Sequence, residues 1–130
     1  MRVLVVEDNE LNRRVVTHML GTAGVESHEA DDGGAGLRMI DAHDYDVVLM
    51  DLRMPGMDGL TAIREIRARS DDKWDVPVIV LTADTGPDIR AQCLLAGADE
   101  MIMKPVHMTA LFDSIVAVTT KRNGLSGLVA

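Results

Sequence analysis

Val3–Val6, Val47–Met50 and Val76–Leu81 (VLVV, VVLM and VPVIVL) contain no polar side chain. Runs this short and this rich in β-branched residues read as strands rather than helices. A strand that is apolar at every position has both faces buried, so it belongs to a parallel sheet with helices on either side. The intervening segments fit that requirement. Leu11, Val15, Met19 and Leu20 recur at helical spacing up to Gly21 or Gly24, and Leu37 and Ile40 anchor a brief helix after Gly33-Gly34. Asp58 is placed to cap a helix carrying Leu60, Ile63 and Ile66 inward, with Arg64, Glu65 and Arg67 outward. Ile89, Cys93 and Ala96 step at helical spacing to Gly97, and Leu111, Ile115 and Val118 define a last amphipathic helix. Val25–Ala30 alternates weakly and predicts a shorter, more exposed strand, and Met101–Met103 predicts a fifth. The expectation is a three-layer α/β sandwich of five strands alternating with five helices. Periodicity leaves the strand order open.

The 130 residues make one domain, with Thr120–Ala130 read as a C-terminal tail or truncated linker after residues 1–119. Only 2% of residues are aromatic and the net charge is −8. Such a chain lacks a stacking platform for bases and repels phosphate backbones and anionic membranes, so direct nucleic-acid or membrane binding is not expected. The lone Cys93 allows no internal disulfide and reads as a buried apolar residue. No apolar run approaches the roughly 18 residues of a membrane span, and a cytoplasmic location is expected.

Open parallel sheets place ligand sites beyond the carboxyl ends of their strands. Those ends carry Glu7 and Asp8, then Asp51, then Thr82, then Lys104 followed by Pro105. Alone, each residue has an ordinary explanation as a helix cap, a turn residue, a strand-end hydroxyl or a solvated lysine. Together, at four strand ends, they make one chemical set. Crowded carboxylates call for a hard divalent cation, and oxygen-only ligands favour Mg²⁺. A cation, an ammonium and a hydroxyl suit the three oxygens of a phosphoryl group around a carboxylate nucleophile. The set reads as a site for making and breaking an aspartyl phosphate.

At these residues the sequence closely resembles the receiver domains of two-component response regulators. The resemblance spans Arg2–Thr119, through VLVVEDN (Val3–Asn9), VVLMDLRMPGMDG (Val47–Gly59), VIVLTA (Val78–Ala83) and AGADEMIMKPV (Ala96–Val106). It implies a flavodoxin-like (βα)5 fold with strand order 2-1-3-4-5. It implies that Asp51 accepts a phosphoryl group from phosphohistidine, and that Asp8, Asp51 and the backbone carbonyl of Arg53 hold Mg²⁺, with Glu7 acting through a metal-bound water. Thr82 and Lys104 are expected to bind the phosphoryl group, with a cis peptide at Lys104-Pro105. Arg53 and Asp84 occupy positions that tune phosphate lifetime in the family. The opening EDNELNRR (Glu7–Arg14) is most like receivers of hybrid histidine kinases and stand-alone phosphorelay receivers, whose partners are histidine kinases or histidine phosphotransfer proteins. Leu11 stands beside the site as a candidate docking contact, while Val15 and Met19 read as core. One departure is Met101, where many receivers carry a switching Tyr or Phe.

The resemblance implies no enzymatic activity beyond Mg²⁺-dependent self-phosphorylation and autodephosphorylation, with a changed surface on the last helices and strand as output and a homodimer as one possible assembly. The alternative is a pseudo-receiver that binds partners without phosphorylation. A phosphatase of the aspartyl-nucleophile class would need a second acid where Arg53 stands, and no G-x-x-x-x-G-K-[ST] loop is present for a nucleotide. His18, His28, His43 and His107 form no ligand-like spacing and read as solvated or packing residues.

Overall fold

The computed structural model describes residues 1–84 and 86–129, the stretch 122–129 in backbone only. The apolar runs become strands β1 (Arg2–Val6), β3 (Val47–Asp51) and β4 (Val78–Thr82), and the weaker segments become β2 (Glu26–Ala30) and β5 (Glu100–Met103). Helices α1 (Glu10–Thr22), α2 (Gly33–Ala42), α3 (Gly59–Arg67), α4 (Pro87–Ala96) and α5 (Met108–Val129) alternate with them. All strand pairs are parallel and the order is β2-β1-β3-β4-β5, the flavodoxin-like arrangement.

The strand pleat divides the apolar residues between two cores. Val3, Val5, Val47, Leu49, Ile79, Leu81 and Ile102 pack with Val16, Leu20, Leu111, Ile115 and Val118 of α1 and α5. Leu4, Val6, Val48, Met50, Val78 and Val80 pack with Ile40, Ile63, Ile66, Cys93 and Ala96 of α2, α3 and α4. Full burial of each large aliphatic side chain contributes about 1.5–3 kcal/mol, which explains why the central strands tolerate no polar interruption. At the sheet edge, β2 fully buries only Ala30.

Local signals set the helix starts. Asn9, Asp32 and Asp58 each accept a backbone N–H three residues on, from Asn12 (2.9 Å), Ala35 (2.7 Å) and Thr61 (2.8 Å). Because Asn9 caps α1, Glu7 and Asp8 are left for the rim of the sheet. Gly59 permits the sharpest junction. A Cβ there would lie 2.4 Å from the Asp51 carbonyl oxygen and 2.8 Å from Leu52 Cα. The start of α3 is thus pressed against the end of β3, and Gly59→Ala forces backbone to move beneath Asp51. We expect Gly59→Ala to lower the unfolding free energy by about 1–3 kcal/mol in urea titration; a change within experimental error would show that the junction relaxes freely.

Two expectations need correction. Val15 is 44% exposed, and its neighbour Val16 takes the core position; Met19 is half-buried and packs on that core. Leu11–Val15 and Val16–Leu20 are adjacent stripes of one helix, and only the second faces the sheet. Arg67 is not an outward residue. Its guanidinium donates to the carbonyls of Gly97 (2.9 Å), Trp74 (2.7 Å) and Val76 (2.7 Å) and pairs with Asp99 at 3.0 Å. It thereby ties α3 to the turn after α4, where Gly97 adopts φ +116°. Over the segment expected as a tail or truncated linker, α5 runs in backbone through Val129, and Ala130 lies outside the described residues. Among the described residues no helix is long and apolar enough to cross a membrane.

Candidate functional site

Parallel strands bring all their carboxyl ends to one rim, and the order β1-β3-β4-β5 sets the neighbours there. Glu7 and Asp8 follow β1, Asp51 ends β3, Thr82 ends β4 and Lys104 follows β5. All five line one open cleft of about 550 Å³, with Arg53 and Asp84 also on its walls. The residues singled out from sequence are therefore brought together, from positions as far apart as 7 and 104 in the chain.

Lys104 Nζ donates to Glu7 Oε1 at 2.8 Å and to Asp51 Oδ1 at 3.0 Å. Glu7 and Asp51 are almost wholly buried, whereas Asp8 is exposed. Carboxylate oxygens of Glu7, Asp8 and Asp51 lie within 4.8 Å of one another. Three carboxylates thus face a single ammonium, and Glu7 Oε2 is buried without a hydrogen-bond partner among the described residues. An orphaned buried oxygen beside an all-oxygen donor set fits a hard divalent cation.

Burial, then the adjacent Glu7 carboxyl, pushes the Asp51 pKa up to about 6 against the opposing pull of Lys104. Burial alone would lower the Lys104 pKa, but its bonds to Glu7 and Asp51 hold it above the ordinary value. The Asp51 shift has a direct consequence for stability. Unfolded Asp51 releases its proton near 3.8 and folded Asp51 near 6, so the native state binds more protons in that interval and loses stability as pH rises through it. Asp51→Asn should therefore be more stable than wild type at pH 7 in metal-free buffer, by about 1–3 kcal/mol. The gain should vanish below pH 4, and denaturant titrations at the two pH values would reveal it. An equal difference at both would assign the effect to packing.

Thr82 is buried at the wall, and its Oγ1 accepts the Asp84 N–H at 2.9 Å, leaving its own O–H to donate. The Lys104-Pro105 peptide is cis, as expected. Met101 is half-buried against the core beneath α4. Two features were not legible as pairs in the sequence. Arg53 Nη2 donates to Asp84 Oδ2 at 2.5 Å across the rim. Arg13 donates to the Glu7 carbonyl at 2.8 Å and to Glu29 at 3.1 Å, fastening α1 over the end of β1. The only hint of the latter was the Arg13-Arg14 pair within the opening motif.

The histidines take no part in this rim. His28 hydrogen-bonds the Tyr45 hydroxyl at 2.7 Å and meets His43 edge-on at 4.9 Å, while His18 and His107 are exposed. Cys93 is buried in the core, and burial pushes its thiol pKa up.

Residues 3–116 match the family described as response regulator receiver domain. Among curated proteins, the sensory/regulatory protein RpfC of Xanthomonas campestris pv. campestris is 37% identical over 128 residues, covering 94% of this chain and 17% of RpfC. The transcriptional regulatory protein PhoP of Escherichia coli K12 is 36% identical over 129 residues, covering 99% of this chain and 56% of PhoP. The chain thus spans about half or less of the length of these relatives. Among solved structures, the receiver domain of the sensor histidine kinase PA1611 from Pseudomonas aeruginosa PAO1 superposes with a TM-score of 0.83 at 35% identity, covering 91% of this chain and 96% of that one. That structure carries a magnesium ion coordinated in its active-site cleft.

Proposed function

Because this chain belongs to the response regulator receiver domains of two-component systems, we propose that Asp51 accepts a phosphoryl group from a phosphohistidine and that the modified domain changes its partners. The donor is a histidine kinase or a histidine phosphotransfer protein, and the setting is cytoplasmic. One Asp51 carboxylate oxygen attacks phosphorus. A P–O bond forms as the P–N bond breaks, and the electron pair departs with the imidazole nitrogen, which is then reprotonated. Loss of the group follows when water attacks phosphorus and the carboxylate leaves. The domain catalyses nothing beyond these two steps on itself.

Lys104 is placed to hold one phosphoryl oxygen by charge, and Thr82 to donate its hydroxyl to another. Carboxylates of Glu7, Asp8 and Asp51, with the Arg53 backbone carbonyl, are the groups that would hold Mg²⁺, Glu7 through a water. The ion supplies charge neutralisation for the transferring phosphoryl group. The observation that carries this reading is the Asp51 carboxylate, buried against Lys104 and next to a Glu7 oxygen with no hydrogen-bond partner among the described residues.

Residues 1–119 are the unit that performs this chemistry, with 120–130 leading out of it. Leu11 is 71% exposed on α1 just beyond the site and Val15 lies one turn on, which supports docking of the histidine protein over α1. Leu95 of α4, Met103 of β5 and Val116 of α5 are also exposed; this is the face we assign to the output partner, a second copy included.

Incubation with Mg²⁺ and acetyl phosphate, read by intact mass, tests the proposal. The expected result is one added phosphoryl group, abolished by a chelator. Absence of any gain, both with acetyl phosphate and with a phosphorylated histidine phosphotransfer protein, would overturn it and leave a pseudo-receiver.

A further inference from the structure

Asp84 joins three parts of the molecule. Its backbone N–H donates to Thr82 Oγ1 at 2.9 Å, its Oδ1 accepts the Gly86 N–H at 3.0 Å, and its Oδ2 accepts from Arg53 Nη2 at 2.5 Å. Gly86 is the N-cap of α4 and supplies no side-chain cap of its own. Bonds to Gly86 and Arg53 hold the Asp84 carboxyl below its usual range. From Asp84, one bond runs to the reacting centre, one to the first turn of α4, and one to a guanidinium on the opposite rim of the cleft.

The helix at the end of this chain of bonds is weakly anchored. Of its side chains α4 fully buries only Cys93 and Ala96, both small, with Ile89 half-buried, while Leu94 and Leu95 are 47% and 88% exposed. By contrast, α3 buries Ala62, Ile63 and Ile66. A small change at the start of α4 therefore meets little packing resistance. Met101, on the strand beside Thr82, has neither a ring nor a hydroxyl to carry a signal by another route.

We infer that Arg53 exchanges Asp84 for the phosphoryl group when Asp51 is phosphorylated, and that the freed Asp84 releases the N-terminal turn of α4. This rests on the reading of Asp51 as acceptor. Phosphorylation adds a charge of about −1.5 to −2 and three strong acceptors to the cleft that Arg53 and Asp84 both line. A guanidinium favours that concentrated anion over a single carboxylate. The Arg53 side chain is 80% exposed, so little burial holds it in place. The same added charge repels Asp84. Deprived of its cation, the Asp84 carboxylate keeps its bond from Gly86, and both can shift together. Arg53 and Asp84 are positioning residues in this scheme: they carry the state of the site to α4 and form no bond in the transfer.

Amide hydrogen exchange of α4 measures the effect directly, in wild type, Asp84→Asn and Arg53→Lys, each with and without Mg²⁺ and acetyl phosphate. Intact mass sets the phosphorylated fraction, and exchange is compared at matched fractions. In wild type, phosphorylation should speed exchange in the first turns of α4 by about two- to fivefold, the effect of losing one partly exposed ion pair. Asp84→Asn has no charge to release, so its α4 should exchange faster before phosphorylation and change little after it. Arg53→Lys keeps the charge and should retain part of the wild-type response. An α4 response of wild-type size in Asp84→Asn overturns the inference, as does failure of that variant to accept phosphate when wild type does. Failure of wild type itself to accept phosphate strikes instead at the reading of Asp51.

Discussion

Asp51→Asn should take up no phosphoryl group under conditions that fully modify wild type. The carboxamide keeps the size and most of the hydrogen bonding of the original side chain but has no anionic oxygen to attack phosphorus. The reasons to expect complete loss lie in the geometry. Asp8 is exposed, and Glu7, although buried and bonded to the same ammonium, is the carboxylate assigned to the metal through a water, so neither is expected to replace Asp51. The fold should survive, since the substitution removes a like charge from a cluster of three carboxylates. Intact mass with circular dichroism on the same sample separates the two effects. Full modification of a folded Asp51→Asn would reject Asp51 as the acceptor, and peptide mapping would then locate the true one.

Lys104→Met should give the second largest effect, slowing phosphorylation about 10²–10³-fold at neutral pH, the usual consequence of deleting one preorganised charge donor. Two causes act in the same direction. The transferring group loses its fixed positive partner, and Asp51 loses the bond that pulls its pKa down. More of the acceptor is then protonated at pH 7, so the rate profile should move to higher pH as well as fall. The variant should also be less stable, and more so at pH 7 than at pH 5, because two buried carboxylates then face each other without a cation. Rates from pH 6 to 9 would report both consequences. A rate within threefold of wild type with an unmoved profile would relegate Lys104 to structural neutralisation of Glu7.

Much of this arrangement is legible from residue order because the central strands and the rim residues answer to strong, local constraints. A strand buried on both faces is apolar along its length, so VLVV and VVLM announce themselves, and the first polar side chain marks the strand end at the rim. Glu7, Asp51, Thr82 and Lys104 stand at such ends. The less legible features depend on pairs whose members are individually ordinary. Arg67 has the spacing of an outward residue, and only the turn around Gly97 and the connector at Trp74 and Val76 give its guanidinium carbonyls to bind. Val15 and Val16 are equally apolar, and the packing angle of α1 decides between them. Arg53 and Asp84 are 31 positions apart and meet only because β3 and β4 are adjacent. Gly59 marks a loop in the sequence, yet its necessity comes from the carbonyl of Asp51 directly behind it.

The contact between Lys104 and Glu7 spans 97 positions, and β5, which delivers Lys104, is a four-residue strand at the margin of the sheet. Of the five rim residues, Lys104 is therefore the last to be synthesised, after both strands that carry the carboxylates. Glu7, Asp8 and Asp51 can assemble on β1 and β3 as soon as those strands pair, but they remain an uncompensated anionic cluster until residue 104 has emerged and docked. Under the proposed function, only a chain whose fifth strand is seated can carry the phosphoryl group.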